Sequence, residues 1–155
     1  MALPISTKGI KVKYCVETTA GTKPTTGYTT IPHVVSIGAI NPDPNLIDVT
    51  EIDEEIMHRY IEGLKDLGGA IGLTVNLTSD FITAWETLKT AADTGYAAGK
   101  VTWFEIYSPN LGKSFYVSAM PAELGFDEAA VDEALQTTAY IIPNGWGGFA
   151  ASSST

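Results

Sequence analysis

From Ala70 to Thr78 the chain alternates strictly. Ile71, Leu73, Val75 and Leu77 are large and aliphatic, and Gly72, Thr74, Asn76 and Thr78 between them are small or polar. Strand side chains point to opposite faces with a period of two, so this segment predicts a strand with one buried face. The period then changes abruptly. Phe81, Ile82, Trp85, Leu88 and Ala92 recur at helical spacing and predict an amphipathic helix over 80–93. Ser79 or Asp80 is the expected N-cap, and Gly95 the expected stop. A chain with one such helix and otherwise period-two patterning can bury its apolar residues mainly by layering strands.

The remaining segments agree. Ile10, Val12, Tyr14 and Val16 alternate with Lys11, Lys13, Cys15 and Glu17, which predicts a half-buried strand with one largely polar face. Thr18 to Thr30 reads as a loop, and Ile31 to Ile40 as a second strand. Asn41-Pro42-Asp43-Pro44-Asn45 is a strong turn signal. Leu46 to Asp53 is then a third strand, forming a hairpin with the second. Glu54 to Gly69 reads as a long excursion with at most one helical turn, because Gly63, Gly68 and Gly69 interrupt its near-helical apolar spacing. Further strands are expected at 101–108, 113–121 and 133–143. The predicted fold class is mainly β: antiparallel sheets in a β-sandwich with one flanking α-helix. The expected domain covers 1–145, and Gly145, Gly147, Gly148 and the serines at 152–154 make 146–155 a flexible tail. No internal repeat is present.

At 155 residues the chain makes one domain and can bury roughly 70% of its unfolded surface without disulfides or metal. Apolar residues make up 45% and charged residues only 17%, so the chain is globular rather than disordered. Its net charge of −9 argues against gripping nucleic acid phosphate or anionic lipid. No apolar run approaches the ~20 residues of a membrane span, and Met1 to Lys8 does not resemble a secretory signal. A single Cys15 cannot form an internal disulfide, which fits a reducing cytosol.

Catalytic and cofactor patterns fail on geometry. His33 and His58 lack metal-ligand spacing, and no serine sits in a nucleophile elbow. Cys15 reads as a small strand residue. Gly112-Lys113-Ser114 ends like a phosphate loop, but Tyr107 stands where the first glycine must be. Asn41, Asp43 and Asn45 space like a calcium loop, but Leu46 and Ile52 occupy the glycine and bidentate glutamate positions. Gly145, Gly147 and Ala150 match a dinucleotide fingerprint without a following helix. The expectation is therefore no enzyme, no cofactor and no metal.

The carboxylates are more informative. Asp48, Glu51, Asp53, Glu54, Glu55, Glu62 and Asp66 put seven acids in nineteen residues, and Glu123, Asp127, Glu128, Asp132 and Glu133 add five without an intervening base. They read as a solvated acidic surface, as a carboxylate pair for glycoside hydrolysis, or as a wall to which DNA does not adhere. Ile56, Met57, Tyr60, Ile61 and Leu64 either fold back on the core or form an exposed apolar patch that contacts another protein.

Taken in order, these segments resemble the major tail protein, or tail tube protein, of long non-contractile-tailed bacteriophages, over about Ile10 to Gly145. The resemblance rests on Ile37-Gly38-Ala39-Ile40-Asn41, then Val49-Thr50-Glu51-Ile52-Asp53, then the stretch from Tyr60 to Gly69 with its Gly63-Leu64-Lys65-Asp66. The strand from Ile71 to Leu77 running into the helix, and a last strand from Leu135 to Ile142 ending in Asn144-Gly145, complete it. It implies a β-sandwich whose hexameric rings stack into a hollow tube, with an intersubunit β-barrel lining the channel. It implies self-association, a tape-measure protein, a tail terminator and tail-tip proteins as partners. DNA would pass without specific binding. The protein would be made in a bacterial cytoplasm and reside in the virion tail. On this reading Ile56, Met57, Tyr60, Ile61 and Leu64 are ring-stacking candidates. Thr74, Asn76, Asp48 and Glu51 are lumen candidates. The alternatives are a ring protein of a contractile injection or secretion machine and a monomeric carbohydrate-binding sandwich. The last requires Trp103, Tyr107 or Tyr116 exposed on one sheet face, whereas a tube requires them covered.

Overall fold

The computed structural model describes residues 4, 6, 8–66 and 69–153. Leu67 and Gly68 of the expected excursion, and residues 154–155 of the expected tail, lie outside them. In chain order the elements are β1 (Lys11–Val16), β2 (Thr29–Thr30), β3 (Val34–Ile37), β4 (Asp43–Asp48), β5 (Tyr60–Asp66), β6 (Ile71–Asn76), α1 (Ser79–Ala97), β7 (Thr102–Tyr107), β8 (Ser114–Pro121) and β9 (Gln136–Ala150). The chain is mainly β with one helix, and every strand pair is antiparallel. Seven strands form a sheet in the order β2-β1-β7-β8-β9-β6-β3, and β4 and β5 pair separately.

Connectivity forces the large sheet to curl. Its two outermost strands, β2 and β3, are joined only by Ile31, Pro32 and His33. That link spans about 13 Å at most. A flat seven-stranded sheet would hold its edges about 29 Å apart. The edges must therefore approach each other, and Ile10 and Val12 at one end line a common cavity with Val34, Val35 and Ile37 at the other. His33 adopts φ 61°, a left-handed turn conformation, and its carbonyl accepts from the Asn76 amide at 2.9 Å. This histidine shapes the edge-to-edge turn.

The concave side holds the core. Val12, Ile71, Leu73, Val75, Phe104, Val117, Ala119, Ala139 and Ile141 of the sheet meet Phe81, Trp85 and Leu88 of α1. The alternation of β6 is the one expected, with Ile71, Leu73 and Val75 buried. Helix α1 lies over the core and is pinned by Trp85 Nε1 donating to the Ala122 carbonyl at 3.0 Å.

Several expectations change. The N-cap is Thr78, whose hydroxyl accepts from the Phe81 amide at 3.1 Å, not Ser79 or Asp80. Gly95 does not stop the helix, which runs to Ala97. The stop is Gly99, whose φ of 76° only glycine adopts freely. Gly95 instead makes room for β1, because a Cβ there would sit 2.5 Å from Val16 Cγ1. The expected hairpin between residues 31–40 and 46–53 does not form. β3 pairs with β6, and β4 starts at Asp43 inside the expected turn and pairs with β5. The excursion from Glu54 is thus half strand. Finally, β9 does not end near Pro143. It continues to Ala150, with Phe149 opposite Phe115 and Ala150 opposite Ser114, so 146–150 belong to the sheet rather than to a flexible tail. Bulges opposite Tyr116–Val117 and Ser118–Ala119 let this glycine-rich strand follow the curl.

Candidate functional site

Two features stand apart from the core, a projecting arm and a buried carboxylate. The arm is the β4–β5 hairpin with its tip, residues 43–66. All six residues of β4 are exposed, and neither strand joins the large sheet. Ile47 lies opposite Ile61 on one face. Leu46 opposite Glu62 and Asp48 opposite Tyr60 mark the other. Apolar side chains thus stand on both faces, with Leu64 88%, Ile56 84% and Ile52 fully exposed. A two-stranded hairpin is marginal alone in water, and an apolar patch of this kind marks a contact surface.

The expected patch residues Ile56, Met57, Tyr60, Ile61 and Leu64 are all exposed on this arm. Sequence reasoning missed Leu46, Ile47, Val49 and Ile52, which complete the surface. The segment 46–53 reads as a strand hairpinned to 31–40, which would put these residues in the body. The available signal was Asp43-Pro44 at the start of β4, since proline within a strand favours an unpaired edge.

The tip is tied by polar groups. The Val49 amide donates to the Arg59 carbonyl at 2.9 Å. The Arg59 amide donates to Thr50 Oγ1 at 2.8 Å, and that hydroxyl donates to Asp48 Oδ1 at 2.5 Å. Thr50's hydroxyl and amide hold the Asp48 carboxyl below its usual range. His58 Nδ1 lies 3.6 Å from Asp48 Oδ2, and the Arg59 guanidinium pairs with Glu54 at 2.9 Å.

The expected lumen residues divide between two places. Thr74 and Asn76 lie on the convex face of β6, opposite Thr138 and Gln136, and Asn76 accepts from Gln136 Nε2 at 3.0 Å. Asp48 and Glu51 lie on the arm, where Glu51 joins Asp53, Glu54 and Arg59 around a shallow depression. The face bearing Thr74 also carries exposed Tyr140 and Ile142, so it is less polar than the alternation of β6 alone implies.

The second feature is Glu105, wholly buried on the convex side of β7. Tyr116 donates to its Oε2 at 2.5 Å, the Ser153 amide to Oε2 at 2.8 Å and the Ser153 hydroxyl to Oε1 at 2.8 Å. Lys13 Nζ stands 3.9 Å away. Burial alone would raise this carboxyl. The Tyr116 and Ser153 hydrogen bonds and the Lys13 charge outweigh it and hold the group below the ordinary range. Tyr116 is pushed up by burial and then by the Glu105 carboxylate. Lys23 Nζ lies 3.9 Å above the Tyr116 ring, and Tyr28 meets it edge-on at 5.9 Å. The loop after β1 and the segment 151–153 thereby cover this side of the sheet. The strand face read as merely polar, Lys13, Cys15 and Glu17, lies beneath that layer, with Lys13 and Glu17 buried. Burial pushes the Cys15 thiol up, opposite to what a nucleophile needs. With its oxygens occupied and shielded, Glu105 does structural work. Tyr116 is buried, and Trp103 and Tyr107 are half-buried, so these three form no open aromatic platform for a sugar. Among the described residues no group of three His, Cys, Asp or Glu gathers to hold a metal, and no helix is long and apolar enough to cross a membrane.

No family profile and no curated protein sequence matches the chain. Solved structures do. A chain of the tail of an empty GTA particle, refined helically with C6 symmetry, superposes with a TM-score of 0.60 at 12% identity, over 97% of this chain and all of that one. The chain shares its fold with a tail subunit. A chain from the anti-feeding prophage tube-terminating cap matches at TM-score 0.58 and 12% identity, covering 99% of this chain and 94% of that one. One from the six-fold symmetrised baseplate of the anti-feeding prophage matches at 0.54 and 10%, covering 93% and 94%. The likeness runs over almost the whole chain and lies in the fold, since sequence identity is low throughout.

Proposed function

We propose that this chain is a structural subunit of a tail tube. Six copies form a ring, and rings stack into a hollow conduit that delivers a genome. The observation that carries this reading is the projecting arm, apolar on both faces, on a fold shared with chains of six-fold tail assemblies. Ile56, Met57, Tyr60, Ile61 and Leu64, with Leu46, Ile47 and Ile52, are buried against neighbouring copies on assembly. Strands of neighbouring copies join into a β-barrel that lines the channel. Thr74, Asn76, Asp48 and Glu51 are the lumen candidates, and the net negative charge keeps DNA phosphate from adhering. The chain would be made in a bacterial cytoplasm and reside in the tail. Its partners are further copies of itself, a tape-measure protein, a terminator and the tail-tip proteins. It performs no catalysis.

A ring protein of a contractile injection or secretion machine is the second reading, supported by the likeness to anti-feeding prophage cap and baseplate chains. Electron microscopy of the purified chain tests both. Six-fold rings or hollow tubes are expected. Single particles of subunit mass at high concentration, unchanged by added tail-tip complex, would overturn the proposal.

A further inference from the structure

The geometry points to Thr50 as the positioning residue of the arm. We propose that its hydroxyl holds the tip in the conformation that neighbouring copies bind. The assembly consequence rests on the tube reading above. The effect on the isolated chain does not.

Eleven residues, 49–59, separate β4 from β5. A loop that long, with little of its own to pack on, is normally mobile. Two hydrogen bonds close its neck. One is a backbone bond, from the Val49 amide to the Arg59 carbonyl at 2.9 Å. In the other the Thr50 side chain takes the place of a backbone acceptor, receiving the Arg59 amide at 2.8 Å. The same hydroxyl spends its proton on Asp48 Oδ1, and the Thr50 amide donates to that oxygen at 2.9 Å. One side chain thus fastens the end of β4 to the start of β5. Beyond this neck stand Ile52, Ile56 and Met57, all exposed. Their direction follows from how the neck is closed. Binding to a fractionally populated conformer is weakened by that fraction, so a loosened neck weakens every arm contact at once.

Thr50→Val removes the hydroxyl, keeps the shape and retains strand propensity. Thr50→Ser restores the oxygen. Two measurements are made on the full-length chain. Hydrogen exchange of the Arg59 amide in the dissociated chain is expected to quicken about five- to tenfold in the valine variant and to return near wild type in the serine variant. The critical concentration for ring or tube formation, read by sedimentation, is expected to rise about five- to tenfold with valine and recover with serine. Exchange unchanged by valine overturns the positioning role. So does a valine variant that assembles at the wild-type concentration, or a serine variant that fails to rescue. Absence of assembly by the wild-type chain defeats the tube reading instead, and the exchange result alone then decides the role of Thr50.

Discussion

At the residue scale, Glu105 shows how charge can be buried without becoming a reaction centre. Its carboxylate receives three hydrogen bonds and faces the Lys13 ammonium. Glu105→Leu leaves that ammonium buried and unpaired, and should destabilise the fold by about 3–5 kcal/mol in urea. Adding Lys13→Met should recover most of the loss. The pH dependence has a definite sign. The folded-state carboxyl titrates below its ordinary value, so its contribution is complete above about pH 4.3 and is lost as pH falls through the lower folded value. The stability gap between wild type and Glu105→Gln should therefore stay constant from pH 5 to 8 and shrink in stronger acid. Nothing in the sequence around Glu105 singles it out. Its partners Lys13, Tyr116 and Ser153 are distant along the chain and meet only through strand pairing.

At the scale of elements, legibility followed sequence separation. The β6 strand and the α1 stripe are encoded by adjacent residues, and both appear where periodicity puts them. Strand pairing is not local. Residues 31–40 and 46–53 look like a hairpin because a strong turn signal lies between them, yet β3 pairs with β6 and β4 with β5. The pairing is set by the curled sheet as a whole, in which the short link from β2 brings β3 to the far edge beside β6. β9 outruns its sequence-based end at Pro143 for a related reason. Pro143, Gly145, Gly147 and Gly148 signal an end locally, but the bulged pairing with β8 absorbs them. Gly95 offers an experimental test of the same point. Helix propensity favours Gly95→Ala by about 1 kcal/mol. The clash with Val16 opposes it, and overpacking of this kind costs about 1–3 kcal/mol. Thermal unfolding should show a lower Tm for Gly95→Ala, because the helix cannot move away while Trp85 is tied to Ala122.

At the scale of the whole molecule, the body satisfies its own core and the arm does not. The body's sheet curls so that a three-residue link joins its two edge strands, and α1 packs against its core. The arm exposes Leu46, Ile47, Ile52, Ile56, Ile61 and Leu64. The sequence held the composition of that surface but not its shape, because exposure depends on what fails to pack against it. Ile61→Asp with Leu64→Asp tests the surface without touching the core. Both substitutions lie outside the body, so the variant's unfolding free energy in urea should stay within about 0.5 kcal/mol of wild type. The most direct measurement of the central claim is electron microscopy of wild type beside this double variant, both at matched high concentration. The expected result is six-fold rings or tubes from wild type and only separate subunits from the folded variant. Rings or tubes of equal abundance from both would contradict the assignment of the arm as the assembly surface.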